Sequence, residues 1–172
     1  MLTKGLTLKP ELTAARLREL LHYDPETGVF VRLNSMRSDR IGKQATGLHS
    51  KGYARIFVED RKHYAHRLAW LYVHGKWPDG DIDHINHDKT DNRIENLRDV
   101  SRSTNAENLI GAKSHNRSSG LLGVSWHKAA AKWSASIQTE GVPRHLGLFQ
   151  TKREAHDAYL KAKRSLHQGC TI

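Results

Sequence analysis

The sequence predicts an α+β protein: an N-terminal α/β unit that ends in a ββα core, followed by a three-stranded antiparallel sheet packed on one helix. Three observations carry that expectation. Short runs alternate apolar and polar side chains, as in Ala54, Ile56 and Val58 or Trp133, Ala135 and Ile137, which is the period of half-buried strands. Two stretches, near 66–73 and 152–166, keep helical spacing with a recognisable start or stop. Between the two folded halves lies a polar, basic stretch without periodicity, 111–119, which reads as a linker.

The elements follow in order. Leu12, Leu17, Leu20 and Leu21 place a short amphipathic helix over 10–22, and Asp24-Pro25-Glu26-Thr27-Gly28 supplies turn chemistry before a strand at Val29–Leu33. Ala54–Val58 pairs with a strand near Lys62–Ala65 across Glu59-Asp60-Arg61. His66–Val73 is too apolar and breaker-free for a loop, so a buried helix with Trp70 and Leu71 in the core should end at His74-Gly75. Trp77-Pro78-Asp79-Gly80 then turns into a strand at Asp81–Ile85, with Leu97–Val100 as its partner. Ser101 is an N-cap for a helix over 102–110 that Gly111 would stop. In the last domain Leu122, Val124 and Trp126, then Trp133, Ala135 and Ile137, then Leu146 and Leu148 mark three strands, with Trp126 and Trp133 as core. Thr151 and Glu154 form a capping box, and Ala155, Ala158, Tyr159, Ala162 and Leu166 share one helical face.

Charge divides the chain in the same places. Residues 81–110 hold 4 Lys/Arg and 7 Asp/Glu, net −3, whereas 1–80 carry +6 and 111–172 carry +7 within a total of +10. Basic flanks suit a polyanion, and an acidic centre suits a cation held against it, so DNA or RNA is the expected partner, double-stranded DNA once the resemblances below are added. The only cysteine, Cys170, excludes an intrachain disulfide and a multi-cysteine zinc knuckle. No apolar run approaches the roughly 20 residues that span a bilayer, and the N-terminal stretch lacks a signal-peptide core, so a cytoplasmic protein is expected.

The acidic centre carries the chemistry. Asp83-His84-Ile85-Asn86-His87-Asp88-Lys89-Thr90-Asp91-Asn92 places a carboxylate beside an imidazole, with Asn105 further on. Phosphodiester hydrolysis needs an activated water and charge neutralisation at the phosphate and the departing oxygen. A carboxylate and an amide oxygen can hold a hard divalent ion, and a neutral imidazole can take the water's proton. On a regular strand Asp83 and His84 point to opposite faces, so this use of both requires a bend near residue 84. Asn96 is expected to hold the Asn- and Asp-rich loop of 86–92 through side-chain to backbone bonds. His87 and Asn108 are competing metal ligands.

The run from Asp83 to Arg98, followed by Ser101-Arg102-Ser103-Thr104-Asn105, resembles HNH endonucleases of phages and mobile introns. Tyr23–Phe30 and Ala65–Trp70 resemble the leader such enzymes carry, so the likeness covers roughly residues 1–110, with a core at about 81–110. The resemblance implies a ββα-metal site: Asp83 and Asn105 as metal ligands, His84 as general base and Asn96 as the structural asparagine. Asn105 stands where many relatives have His, which favours an oxygen-preferring ion, Mg²⁺ first and Mn²⁺ second. Arg93 and Arg98 are expected to meet DNA phosphates or to balance charge, an ion pair to Asp91, Glu95 or Asp99 being the ordinary alternative.

Residues 120–172 are similar to the APETALA/ethylene-response-factor DNA-binding domain, through Gly123–His127, Lys132–Ile137 and Leu146–Ala155. Such domains lay a three-stranded sheet in the major groove. Ser125 and His127 stand where plant members carry arginines. The polar face is expected to offer Ser125, His127, Lys132, Ser134, Ser136 and Arg144 to DNA. Taken together these features imply a site-specific, metal-dependent DNA endonuclease of the homing type, a monomer or weak dimer, in the host cytoplasm if phage-encoded. The alternatives are a sequence-specific DNA-binding regulator with an inactive site and a nuclease of little sequence preference that serves phage DNA packaging or host-DNA degradation.

Overall fold

A computed structural model describes residues 11–48, 52–109, 111, 116, 118–139, 141–167 and 170. The chain divides into two compact units, Met1–Asp99 and Val100–Ile172. Each unit is mixed α and β with small antiparallel sheets, the class the sequence predicts.

In the first unit α1 (Ala14–Leu20) starts at Thr13, whose side chain accepts the Arg16 amide, and runs directly into β1 (Leu21–Asp24). The helix expected over 10–22 is therefore shorter, and residues 21–24 are extended; residue 10 lies outside the described residues. Leu21 and Tyr23 alternate inward there, a period too short to register beside the leucines of the helix. β2 (Val29–Arg32) returns antiparallel, Asp24 opposite Val29. β3 (Gly47–Leu48), β4 (Ala54–Val58) and β5 (Arg61–Tyr64) form a second sheet in that order. Glu59 and Asp60 both take positive φ, 47° and 63°, the two-residue turn whose twist matches a hairpin. α2 (Ala65–His74) closes on Gly75 at φ 76°, as the sequence predicts. β6 (Asp81–His84) pairs with β7 (Leu97–Val100). The core gathers Leu17, Leu21, Phe30, Ile56, Leu68 and Leu71, with Ile82 and Leu97 anchoring the β6–β7 ribbon to it. Leu71 is buried as expected, whereas Trp70 packs only against the core's edge.

The second unit opens with α3 (Arg102–Glu107), capped by the Ser101 hydroxyl on the Thr104 amide. It ends at Asn108, not at Gly111, since Ser, Thr and Asn dominate its length and favour caps over helix interiors. β8 (Val124–His127), β9 (Lys132–Thr139) and β10 (Val142–Phe149) form a sheet in the order β10-β9-β8. α4 (Lys152–Leu166) covers one face, with the Thr151–Glu154 capping box in place. The buried positions of α4 are Ala155, Tyr159 and Lys163, four residues apart; Leu166 is exposed, so Lys163 takes the inward place expected of Leu166. Its ammonium hydrogen-bonds the Leu109 carbonyl, which is what permits a cation there. Gly123, at φ 68°, leaves room for Tyr159, whose ring a Cβ would meet at 2.0 Å. Trp126 is 43% exposed rather than core: it stands on an edge strand and meets Trp133 edge-on at 5.1 Å. Among the described residues no helix is long and apolar enough to cross a membrane.

Candidate active site

Strand β6 delivers Ile82, Asp83 and His84 in succession, and all three are buried, so both faces of the ribbon are covered where it ends. Asp83 is gripped from the neighbouring strand: Arg98 Nε and Nη2 donate to Asp83 Oδ2 at 2.9 and 2.7 Å. That pairing partner was not foreseen from sequence, because only the β6–β7 pairing brings residues 83 and 98 side by side. Arg93 instead chelates Asp91 through Nε and Nη2 at 2.9 and 2.8 Å and meets Glu95 through Nη1 at 2.5 Å. Asp99 accepts the amides of Asp79 and Gly80, both at 2.8 Å, and so fixes the turn that leads into β6.

The loop between β6 and β7 is held by side chains. Asn96, on the short 3₁₀ turn Ile94–Asn96, accepts the Asn86 amide at 2.9 Å and donates to the Asp91 carbonyl at 2.9 Å. Asp88 accepts the Thr90 amide and hydroxyl at 2.9 and 2.7 Å, and Asn86 Nδ2 donates to Asp91 Oδ2 at 2.7 Å. The Arg93 guanidinium, bonded to Asp91, holds that carboxyl down at about 2, so the loop keeps its charge through the physiological range. His87 takes φ 65° in the turn that follows His84.

A second support comes from the β1–β2 hairpin. Tyr23 donates its hydroxyl to the Asn92 carbonyl at 2.7 Å, and Ile94 N donates to the Pro25 carbonyl at 3.2 Å. Gly28 sits against the same loop: at φ 72°, a Cβ on it would come within 2.6 Å of Arg93 N and Asn92 C. The turn motif 24–28 thus does more than reverse the chain.

His84 lies in an aromatic pocket, 5.1 Å from the His66 ring, edge-on, and 6.1 Å from Tyr53. Burial lowers its pKa, so the imidazole is neutral at physiological pH. Burial, reinforced by His84, pushes His66 down to about 3. Asn92 faces the His84 ring: Asn92 Nδ2 donates to the Thr90 carbonyl at 2.9 Å, which turns Oδ1 toward His84 Nε2 at 3.5 Å. An acceptor at Nε2, even at that outer limit, favours the proton there and leaves the Nδ1 lone pair to act as base. Asn92, His66 and Tyr53 are the site residues that sequence reading missed; their role depends on three separate elements meeting.

Asn105 lies on α3 in the second unit, where its amide donates to the Ser101 carbonyl at 3.0 Å, and Asn108 caps that helix. On the second unit's sheet, Ser125 pairs with Ser134 and His127 with Lys132, so these four and Ser136 share one face. Arg144 does not join them. It pairs with Ile137 and stands on the opposite side, while His145, opposite Ser136, takes the place expected of it and approaches Ser134 Oγ at 3.4 Å. The irregularity between His145 and Gly147 conceals this alternation in the sequence.

Residues 63–107 match the family model described as HNH endonuclease. The chain is 27% identical over 122 residues to "Protein 3.8" of Escherichia phage T7, covering 64% of this chain and 97% of that protein. A solved structure of DNA binding and cleavage by the HNH homing endonuclease I-HmuI aligns loosely, with TM-score 0.42 and 23% identity over 87% of this chain and 88% of that one. The matched segment begins in β5, takes in α2, the β6–β7 ribbon and its braced loop, and ends with α3. Over residues 63–107, then, the chain is similar to the HNH endonuclease family.

Proposed function

We propose that this protein is a site-specific, divalent-metal-dependent DNA endonuclease of the homing type. The observation that carries the reading is His84: a buried, neutral imidazole with Asn92 facing Nε2, one residue from a buried carboxylate that Arg98 orients. The donor set fits a hard ion, since Asp83 offers a buried carboxylate and Asn105, in the same matched segment, an amide oxygen. Mg²⁺ is preferred and Mn²⁺ accepted. A divalent ion held by Asp83 and Asn105 would supply charge neutralisation at the phosphate and the departing 3′ oxygen.

The protein's own residues perform the rest. His84 Nδ1 accepts a proton from water, whose oxygen attacks phosphorus; the bond to the 3′ oxygen breaks, and that oxygen takes its proton from solvent. The products are 5′-phosphate and 3′-hydroxyl ends. Asn92 keeps the ring oriented, and Asn96 keeps the loop that carries Asn92 in place. With one such histidine per chain, a monomer nicks, and a weak dimer would be needed to cut both strands together.

Target reading is assigned to the second unit, as an APETALA/ethylene-response-factor-like sheet whose row of Ser125, His127, Lys132, Ser134, Ser136 and His145 enters the major groove. The reading is supported by the shared face and by the +7 charge of residues 111–172. The host cytoplasm is the proposed setting.

The test is cleavage of a supercoiled phage-derived plasmid library with Mg²⁺, with EDTA and with His84→Ala, the ends mapped by sequencing. Metal-dependent cuts at one or few positions, lost in the variant, are expected. Tight binding with no cut in Mg²⁺ or Mn²⁺ would leave a DNA-binding regulator, and cuts scattered without preference would remove the homing assignment.

A further inference from the structure

The first unit contains a cleft of about 350 Å³ whose lining includes Arg32, Arg40, Lys43, Gln44, Arg55 and Phe57. Four cations and no carboxylate line it. Among the described residues no Asp or Glu pairs with any of the four; of the acids near them in sequence, Asp39 lies against Arg37 and Glu59 against Arg16. Two of the cations are held in place by neutral groups: Arg32 Nη2 donates to the Phe57 carbonyl at 3.2 Å, and Arg55 Nη2 donates to Tyr64 Oη at 2.7 Å with its guanidinium 4.5 Å above the Tyr64 ring. Fixing an arginine without neutralising it preserves its charge for an outside anion.

The sheet that forms one wall continues the same chemistry. In the β4–β5 register Arg55 stands opposite Tyr64 and Phe57 opposite Lys62, so cations alternate with aromatics on the solvent face, where Phe57 is 50% exposed. This face also reaches the active site by an unbroken packed run. Tyr64 stacks on His66 at 5.3 Å and 12°, and His66 meets His84 at 5.1 Å.

We infer that this cleft is a phosphate clamp for the sugar-phosphate backbone of duplex DNA flanking the cleaved phosphate, with Arg40 and Lys43 contacting phosphates and Arg55 linking the clamp to the catalytic histidine. The inference rests on the DNA-cleaving reading above and adds to it a second contact area, in the unit that carries His84.

Binding of a fluorescein-labelled duplex of cleaved sequence to the full chain, measured by anisotropy in EDTA across a salt series, tests it without turnover. Each phosphate contact contributes about 0.9 to the slope of log affinity against log salt. Arg40→Gln with Lys43→Gln, both exposed side chains, should weaken binding and lower that slope by about 2. Lys76→Gln, which removes an exposed cation paired with Asp79, serves as the charge control and should leave the slope almost unchanged. Circular dichroism melting confirms that each variant folds. Wild-type binding with an unchanged slope in the double variant, or an equal loss in the Lys76 control, would overturn the clamp and leave the endonuclease reading intact. Failure of the wild type to bind any duplex would overturn both.

Discussion

At the residue scale, the site works through groups kept neutral and groups kept charged. In the proposed reaction His84 is the base, because burial holds it unprotonated and Asn92 orients it. His84→Ala should reduce cleavage by about 100-fold or more, the usual worth of a positioned base, with duplex binding largely retained; a loss of binding in its place would remove the assigned role. Asn92→Ala should slow cleavage by a smaller factor, about tenfold, in single-turnover assays, because the ring stays but its tautomer is no longer favoured. His66 makes a separate, pH-dependent contribution. Unfolded, it protonates near 6.5; folded, it is pushed down to about 3, so the unfolded state binds the extra proton between those values. Stability is complete above about 6.5 and falls as pH drops toward 3, with a slope that approaches about 1.4 kcal/mol per pH unit. Urea titrations at pH 5 and pH 7 should show a smaller difference in His66→Phe than in the wild type.

At the element scale, the loop between β6 and β7 is stabilised from two sides. Asn96 bonds it internally, and the β1–β2 hairpin presses on it through Tyr23, Pro25 and Gly28. Asn96→Ala leaves the Asn86 amide and Asp91 carbonyl without partners and should cost about 1–3 kcal/mol in chemical denaturation. Gly28→Ala combines a left-handed backbone with backbone atoms at 2.6 Å, and should cost at least about 1–2 kcal/mol and lower cleavage as well. A fully active Gly28→Ala protein would show that the hairpin does not govern the loop. Elements with a sharp chemical boundary are legible in the sequence: α2 by Gly75, α4 by its capping box, and the β4–β5 turn by Glu59-Asp60, although Arg61, expected in the turn, already belongs to β5. α1 and α3 were overextended, because leucine spacing continues past Leu20 into a strand and Gly111 lies beyond a cap already made at Asn108.

At the scale of the whole molecule, the proposed function is divided between cleaving and reading. The matched HNH segment contributes the histidine, while the basic sheet of the second unit offers the polar row. Lys132→Gln should lower the salt slope of duplex binding by about 1 without altering the melting temperature beyond a degree or two; an unchanged slope would remove Lys132 from the interface. The two contact areas, cleft and sheet, should weaken binding additively if they touch separate phosphates.

The sequence by itself determined the candidate site residues, Asp83, His84, Asn96 and Asn105 at motif spacing, together with an acidic centre between basic flanks and the α+β class read from alternating runs and caps. Each of these is a local or periodic signal. Tertiary structure alone decided that Arg98 holds Asp83, that Asn92 and His66 flank His84, and that Arg144 turns away while His145 faces out. Those relations depend on strand register, on a bulge and on elements distant in sequence closing around one core, and no spacing along the chain encodes them.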